Sequence, residues 1–174
     1  MEDTVESVLC DKTWRNGPDS VCDMRFRKDG TGDYAKFFCF RELCVFIGSV
    51  FEWKLQEGST PLDRAMDAGD NSSAELHIQL TLTKRRALTS GWDPGRAPMN
   101  EDYVTDEAFL PRNYIIRLEK GRFSVTNGYT SSYGLRLLFD TSPAPPPELW
   151  KQRRRAAENL GFHEILDYYA DGLS

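Results

Sequence analysis

Between Cys22 and Leu55, a strand of alternating apolar and polar residues runs into a glycine-bearing turn and out into aromatic strands. Cys22, Met24 and Phe26 alternate with Asp23, Arg25 and Arg27, the pattern of a strand with one buried face. Lys28-Asp29-Gly30-Thr31-Gly32-Asp33 follows, and its glycines tolerate the positive φ that a tight reversal needs. The chain then turns aromatic and ends the block in Phe51-Glu52-Trp53-Lys54-Leu55. Strand, turn and further strands in immediate succession point to an antiparallel sheet.

The same reading extends along the chain. Strands are expected at about 21–28, 33–40, 43–55, 74–84, 113–119, 121–126 and 133–140. The cleanest is Leu76, Ile78, Leu80 and Leu82 alternating with His77, Gln79, Thr81 and Thr83. Lys120-Gly121 reads as a tight hairpin between two of these strands, and Asn127-Gly128 ends the second. Thr4 can cap a short N-terminal helix carrying Val5, Val8 and Leu9. Residues 56–73 and 85–112 are long loops of the kind that act as covers or remain disordered. Residues 141–147 are a proline-stiffened spacer leading to a helical extension, so that 141–174 is a linker plus C-terminal helix. In that helix Phe162, Ile165, Leu166 and Tyr169 fall at i, i+3, i+4 and i+7.

Seven or eight sequential antiparallel strands leave exposed edges unless the sheet closes, and about eight strands enclose one small ligand. The expected class is therefore mainly β: a single domain over 1–174, closed as an antiparallel barrel, with a short helix at the N-terminus and another at the C-terminus. A net charge of −5 argues against nucleic acid or an anionic lipid surface as partner. No segment approaches the roughly eighteen apolar residues of a membrane helix. Met1-Glu2-Asp3 lacks the basic start and apolar run of a signal peptide, which reads as cytoplasmic. Cys10, Cys22, Cys39 and Cys44 match no zinc spacing and read as small core residues. Lys151-Gln152-Arg153-Arg154-Arg155 reads as a solvated helix face, a nuclear signal or an anion patch.

With Trp14 ahead of the first strand, a meander of strands and a trailing helix, the chain resembles the lipocalin-like (calycin) barrels. Lipocalins carry a Gly-x-Trp at the first strand and an arginine from the last strand packed over that tryptophan. Here Trp14 fits the tryptophan, Lys12 stands where the glycine belongs, and Arg136 is the candidate arginine. The resemblance implies a small-molecule binder, and some barrels of this kind have become isomerases or cyclases.

The expected function is an intracellular barrel that binds a small, largely apolar organic molecule. Its wall would be Met24, Phe26, Phe38, Phe40, Phe51 and Trp53, oriented by a polar group such as Gln79. The rival is a cyclase or isomerase that needs no cofactor and no metal, using the cavity to fold a reactive substrate. Its catalytic candidates are Glu52, His77 and Tyr114. A carboxylate on an apolar wall could act as general acid or base, and Tyr114 could donate to a ligand carbonyl. His77 and Gln79 would join Thr81 and Thr83 as a polar stripe if that face of the strand points inward. A filled barrel would instead favour a protein–protein interaction module. Walker, dinucleotide-binding and Gly-x-Ser-x-Gly patterns are missing from the sequence.

Overall fold

The computed structural model describes residues 3–10, 12–18, 22–40, 43–67, 71–87, 100–127, 129–151, 158–159 and 161–173; the side chains of 37–40, 43–46, 100, 127 and 129 lie outside the description. Among the described residues, eight strands form one antiparallel sheet closed on itself: β1 (Trp14–Arg15), β2 (Cys22–Phe26), β3 (Thr31–Phe40), β4 (Leu43–Leu55), β5 (Ser73–Leu82), β6 (Arg112–Asn127), β7 (Tyr129–Phe139) and β8 (Asp167–Leu173). Every strand pairs with its neighbours in sequence, and β8 returns to β1 through Arg15 opposite Tyr169. Closure gives both terminal strands, β1 and β8, a partner on each side. No helix among the described residues is long and apolar enough to cross a membrane.

The turn between β2 and β3 forms as its residues dictate. Gly30 takes φ +82°, and Asp29 Oδ1 accepts from the Thr31 amide at 2.9 Å and the Thr31 hydroxyl at 2.6 Å. Those bonds to the charged form hold the Asp29 carboxyl below the usual carboxylate range. Gly32 is needed for a different reason: a Cβ there would run into the Phe51 ring and the Arg25 carbonyl oxygen. One obstacle is backbone, so a side-chain shift cannot relieve it. Gly32→Ala is expected to destabilise the protein by about 1–3 kcal/mol, the range for overpacking. Urea denaturation reads this, and an unchanged midpoint would show that the hairpin yields freely.

At the N-terminus α1 (Val5–Leu9) begins at Thr4, whose hydroxyl accepts from Ser7 N at 3.2 Å while Ser7 Oγ accepts from Thr4 N at 2.8 Å. Val5, Val8 and Leu9 are buried. Val5 N and Glu6 N donate to the carbonyls of Arg64 and Leu62, fastening the helix to the β4–β5 connection.

Three expectations are corrected. Lys120-Gly121 makes no hairpin: β6 runs unbroken through it, and the register against β7 shifts between Lys120 and Phe123. The local glycine signal is absorbed as a bulge because both flanks pair with the same partner strand. Residues 162–169 form no helix: Phe162–Glu164 is a 3-10 turn, and Asp167–Leu173 is the strand that closes the ring. Tyr168 and Ala170 point inward while Tyr169 lies on the other face, so period-two burial overrides the helical spacing of the apolar residues. The rest of the expected C-terminal helix, with the basic run after Lys151, falls mostly outside the described residues; 158–159 are helical. Arg136 does not pack over Trp14. It sits on the outer face, paired with Glu119 at 2.6 Å and stacked 4.8 Å from the Phe123 ring centroid, whereas Trp14 is fully buried inside.

Candidate functional site

Register fixes what the inner wall contains. Across β2, β3 and β4 the inward rows are Phe26, Gly32 and Phe51, then Met24, Tyr34 and Ser49, then Cys22, Lys36 and Ile47. On the far side Leu76, Ile116 and Phe139 form one row, and Ala74, Leu118, Leu137 and Tyr168 the next. All these side-chain-bearing residues are buried.

The two ends of the ring differ. The β2–β3 turn, the β4–β5 connection and α1 gather at one end, where Phe26 packs edge-on against Phe51 and Trp53 at 5.2 and 5.4 Å. Trp53 Nε1 donates to the carbonyls of Arg27 and Thr31 at 3.1 and 3.0 Å, locking the turn down over this end. The β3–β4, β5–β6 and β7–β8 connections lie at the opposite end. There α2 (Asn100–Tyr103) and the stretch after it meet Leu149, Trp150 and Lys151. Thr105 N donates to Leu149 O, and Lys151 N to Tyr103 O. Trp150 and Phe162 stack within this cover, 6.2 Å between centroids, and Ser142 Oγ donates to Phe162 O at 2.9 Å.

Polar groups concentrate on the inner wall below that cover. Lys36 is 7% exposed, its Nζ 4.9 Å from the Phe162 ring centroid, and no acidic side chain among the described residues pairs with it. Burial lowers its pKa, with the neighbouring Cys22 opposing in part. Cys22 lies directly across from Lys36 and donates its thiol to Tyr168 Oη at 3.7 Å. Desolvation raises the Cys22 thiol, against the pull of Lys36, and pushes the Tyr34 and Tyr168 phenols well above their ordinary value. Ser49, fully buried, is satisfied by the backbone of Thr83, accepting from its amide and donating to its carbonyl. Chemically the wall offers an ammonium, a thiol and two phenols, all withdrawn from water.

The candidates drawn from sequence divide across the sheet. Met24, Phe26, Phe51 and Trp53 are buried in the interior cluster, as is Tyr114, which packs on Phe139 at 5.8 Å. Phe38 and Phe40 have side chains outside the described residues. Glu52 is on the outer face, 63% exposed and paired with Arg85 at 3.2 Å. His77 is also outside, its Nε2 3.2 Å from Glu75 Oε1, and Gln79 Nε2 donates to Asn113 Oδ1. The polar stripe of β5 therefore faces outward, because Leu76, Ile78, Leu80 and Leu82 occupy the inner face. Glu52 and Gln79 border a shallow outer depression of about 600 Å³ with Thr31, Lys54 and Pro111. His77 and Tyr114 border another of about 330 Å³ with Asn113 and Asp140.

Lys36 and Tyr34 were missed by sequence reasoning, although one signal leads to them. If Met24 and Phe26 face inward, pairing around the Asp29-Gly30 turn sends Tyr34 and Lys36 inward too. Cys10 and Cys22 are buried; the side chains of Cys39 and Cys44 lie outside the described residues. Compared with protein-family models, with curated proteins and with solved structures, the chain finds no match in any of the three.

Proposed function

We propose that the chain is a lipocalin-like barrel that holds a small, largely apolar organic molecule at the covered end of its ring. One observation carries this reading: a lysine on the inner wall, withdrawn from water and, among the described residues, without an acid to neutralise it. A wall meant only to be filled has no use for an ammonium, since burying an unpaired charge costs several kcal/mol. A buried cation beside phenols and a thiol suits the convergent polar end of an otherwise apolar pocket.

Native mass spectrometry of freshly purified protein tests the reading. The expected result is a retained mass of a few hundred daltons that denaturation releases. A bare polypeptide mass, together with no binding of an added hydrophobic fluorophore, would overturn it.

The partner-module reading has its own support in the dense packing of Phe26, Phe51 and Trp53, which leaves the helix-capped end solid. The cyclase or isomerase reading loses two of its three nominees to the outer face. Glu52→Gln and His77→Ala are expected to leave binding of the retained molecule unchanged, and to shift stability by no more than about 0.5 kcal/mol. Ligand titration and urea melts measure both. A tenfold loss of affinity in either variant would restore a role for that residue.

A further inference from the structure

Resting on that reading, we infer that the bound molecule is a monoanionic carboxylate and that Lys36 receives its head group. The position is set by backbone register: Lys36 pairs with Cys22 on one side and Ile47 on the other, both inward-facing. Its ammonium meets the face of Phe162, a weak compensation that leaves hydrogen-bond donors to spare. Among the described residues, no Asp or Glu is buried and no second Lys or Arg is. One unbalanced positive charge in a desolvated wall selects one negative charge. A dianion would leave an excess charge, a cation would be repelled, and a neutral head group would leave the ammonium uncompensated.

Carboxylate chemistry fits the neighbours as well. A carboxylate has two oxygens and about four acceptor sites, so it can take the ammonium together with neutral donors. Tyr34 and Cys22 stand on adjacent inward rows, and Tyr34, Tyr168 and Cys22 hydrogen-bond to one another there. Burial raises both phenols, so the carboxylate meets neutral hydroxyls there and no second anion. Met24, Phe26, Phe51 and Trp53 fill the helix-capped side, so the ligand's apolar tail runs toward Phe162 and Trp150 under the cover.

The test uses the full chain at neutral pH and two fluorescent probes, cis-parinaric acid and the corresponding polyene alcohol. Wild type is expected to bind the acid roughly ten- to a hundred-fold more tightly than the alcohol, the range for a charge-assisted hydrogen-bonded pair. Lys36→Met should erase that preference by weakening the acid alone, and Lys36→Arg should keep it. Equal affinity of wild type for acid and alcohol would overturn the carboxylate assignment while leaving the small-molecule reading in place. So would a preference that survives in Lys36→Met. Binding of neither probe would overturn both. The wild-type comparison stands even if a Lys36 variant fails to fold.

Discussion

Trp14→Ala is expected to remove about 3–5 kcal/mol of folding free energy, the range for deleting a buried aromatic side chain. Trp14 is fully buried and makes up half of the two-residue strand β1. Its indole Nε1 donates to the Leu9 carbonyl at 3.0 Å, joining the end of α1 to the ring. Alanine opens a cavity beside Met24, its cross-strand partner, and strips a buried carbonyl of its donor. Trp14→Phe separates the two effects: most of the volume stays, and the loss should fall to about 1 kcal/mol from the hydrogen bond plus a smaller packing deficit. Urea denaturation followed by far-ultraviolet circular dichroism reads both variants. A loss below about 1 kcal/mol for the alanine would show that β1 is not held by this residue.

The second large effect comes with alkaline pH. Tyr34 and Tyr168 keep their protons in the folded protein well beyond the ordinary phenol value of 10.0, because burial penalises the phenolate. Above that value the unfolded chain binds fewer protons than the folded one, so stability falls as pH rises. Each phenol contributes a slope of about 1.4 kcal/mol per pH unit, or about 2.7 for the pair. Cys22, raised from 9.0, adds a decline of the same sign that starts lower. Lys36 acts oppositely: its lowered value means stability gained as pH rises toward 10.5, where the unfolded lysine titrates. That gain ends there, and the tyrosines govern above it. Urea midpoints taken across this range should drop steeply, with tyrosinate absorbance appearing together with unfolding. Tyr34→Phe and Tyr168→Phe should each take about 1.4 kcal/mol per pH unit off the slope. Tyrosinate formation in protein that stays folded would show that the phenols reach water.

Local chemistry made much of this fold readable. Strands β2 and β5 follow from period-two alternation, and Asp29-Gly30 announces its own turn. Non-local pairing decided what was misread. Lys120-Gly121 resembles a hairpin turn until β7 is laid along both sides of it. The segment from 162 to 169 has helical spacing, but β7 and β1 each lacked a second partner and claimed Asp167–Leu173. The site was harder still, because alternation states that two faces differ without saying which is inside. Glu52 and His77 were placed by that ambiguity, and the leucines of β5 resolve it. Lys36 was hidden because Asp33, Ala35 and Phe37 on one face and Tyr34, Lys36 and Phe38 on the other show no clean polar side.

The join between β8 and β1 is one residue pair wide, Arg15 with Tyr169, while β6 and β7 share a long ladder. Side chains reinforce it from outside the ladder: Lys12 reaches Asp171 at 2.8 Å, and Asn16 Nδ2 donates to the Asp167 carbonyl at 2.8 Å. A circle fails at its narrowest splice, so amide exchange at Arg15 and Tyr169 should run ahead of exchange in β6. The ring thereby has a preferred line of parting. The molecule is continuous in topology and unequal in strength, more a clasped bracelet than a welded hoop.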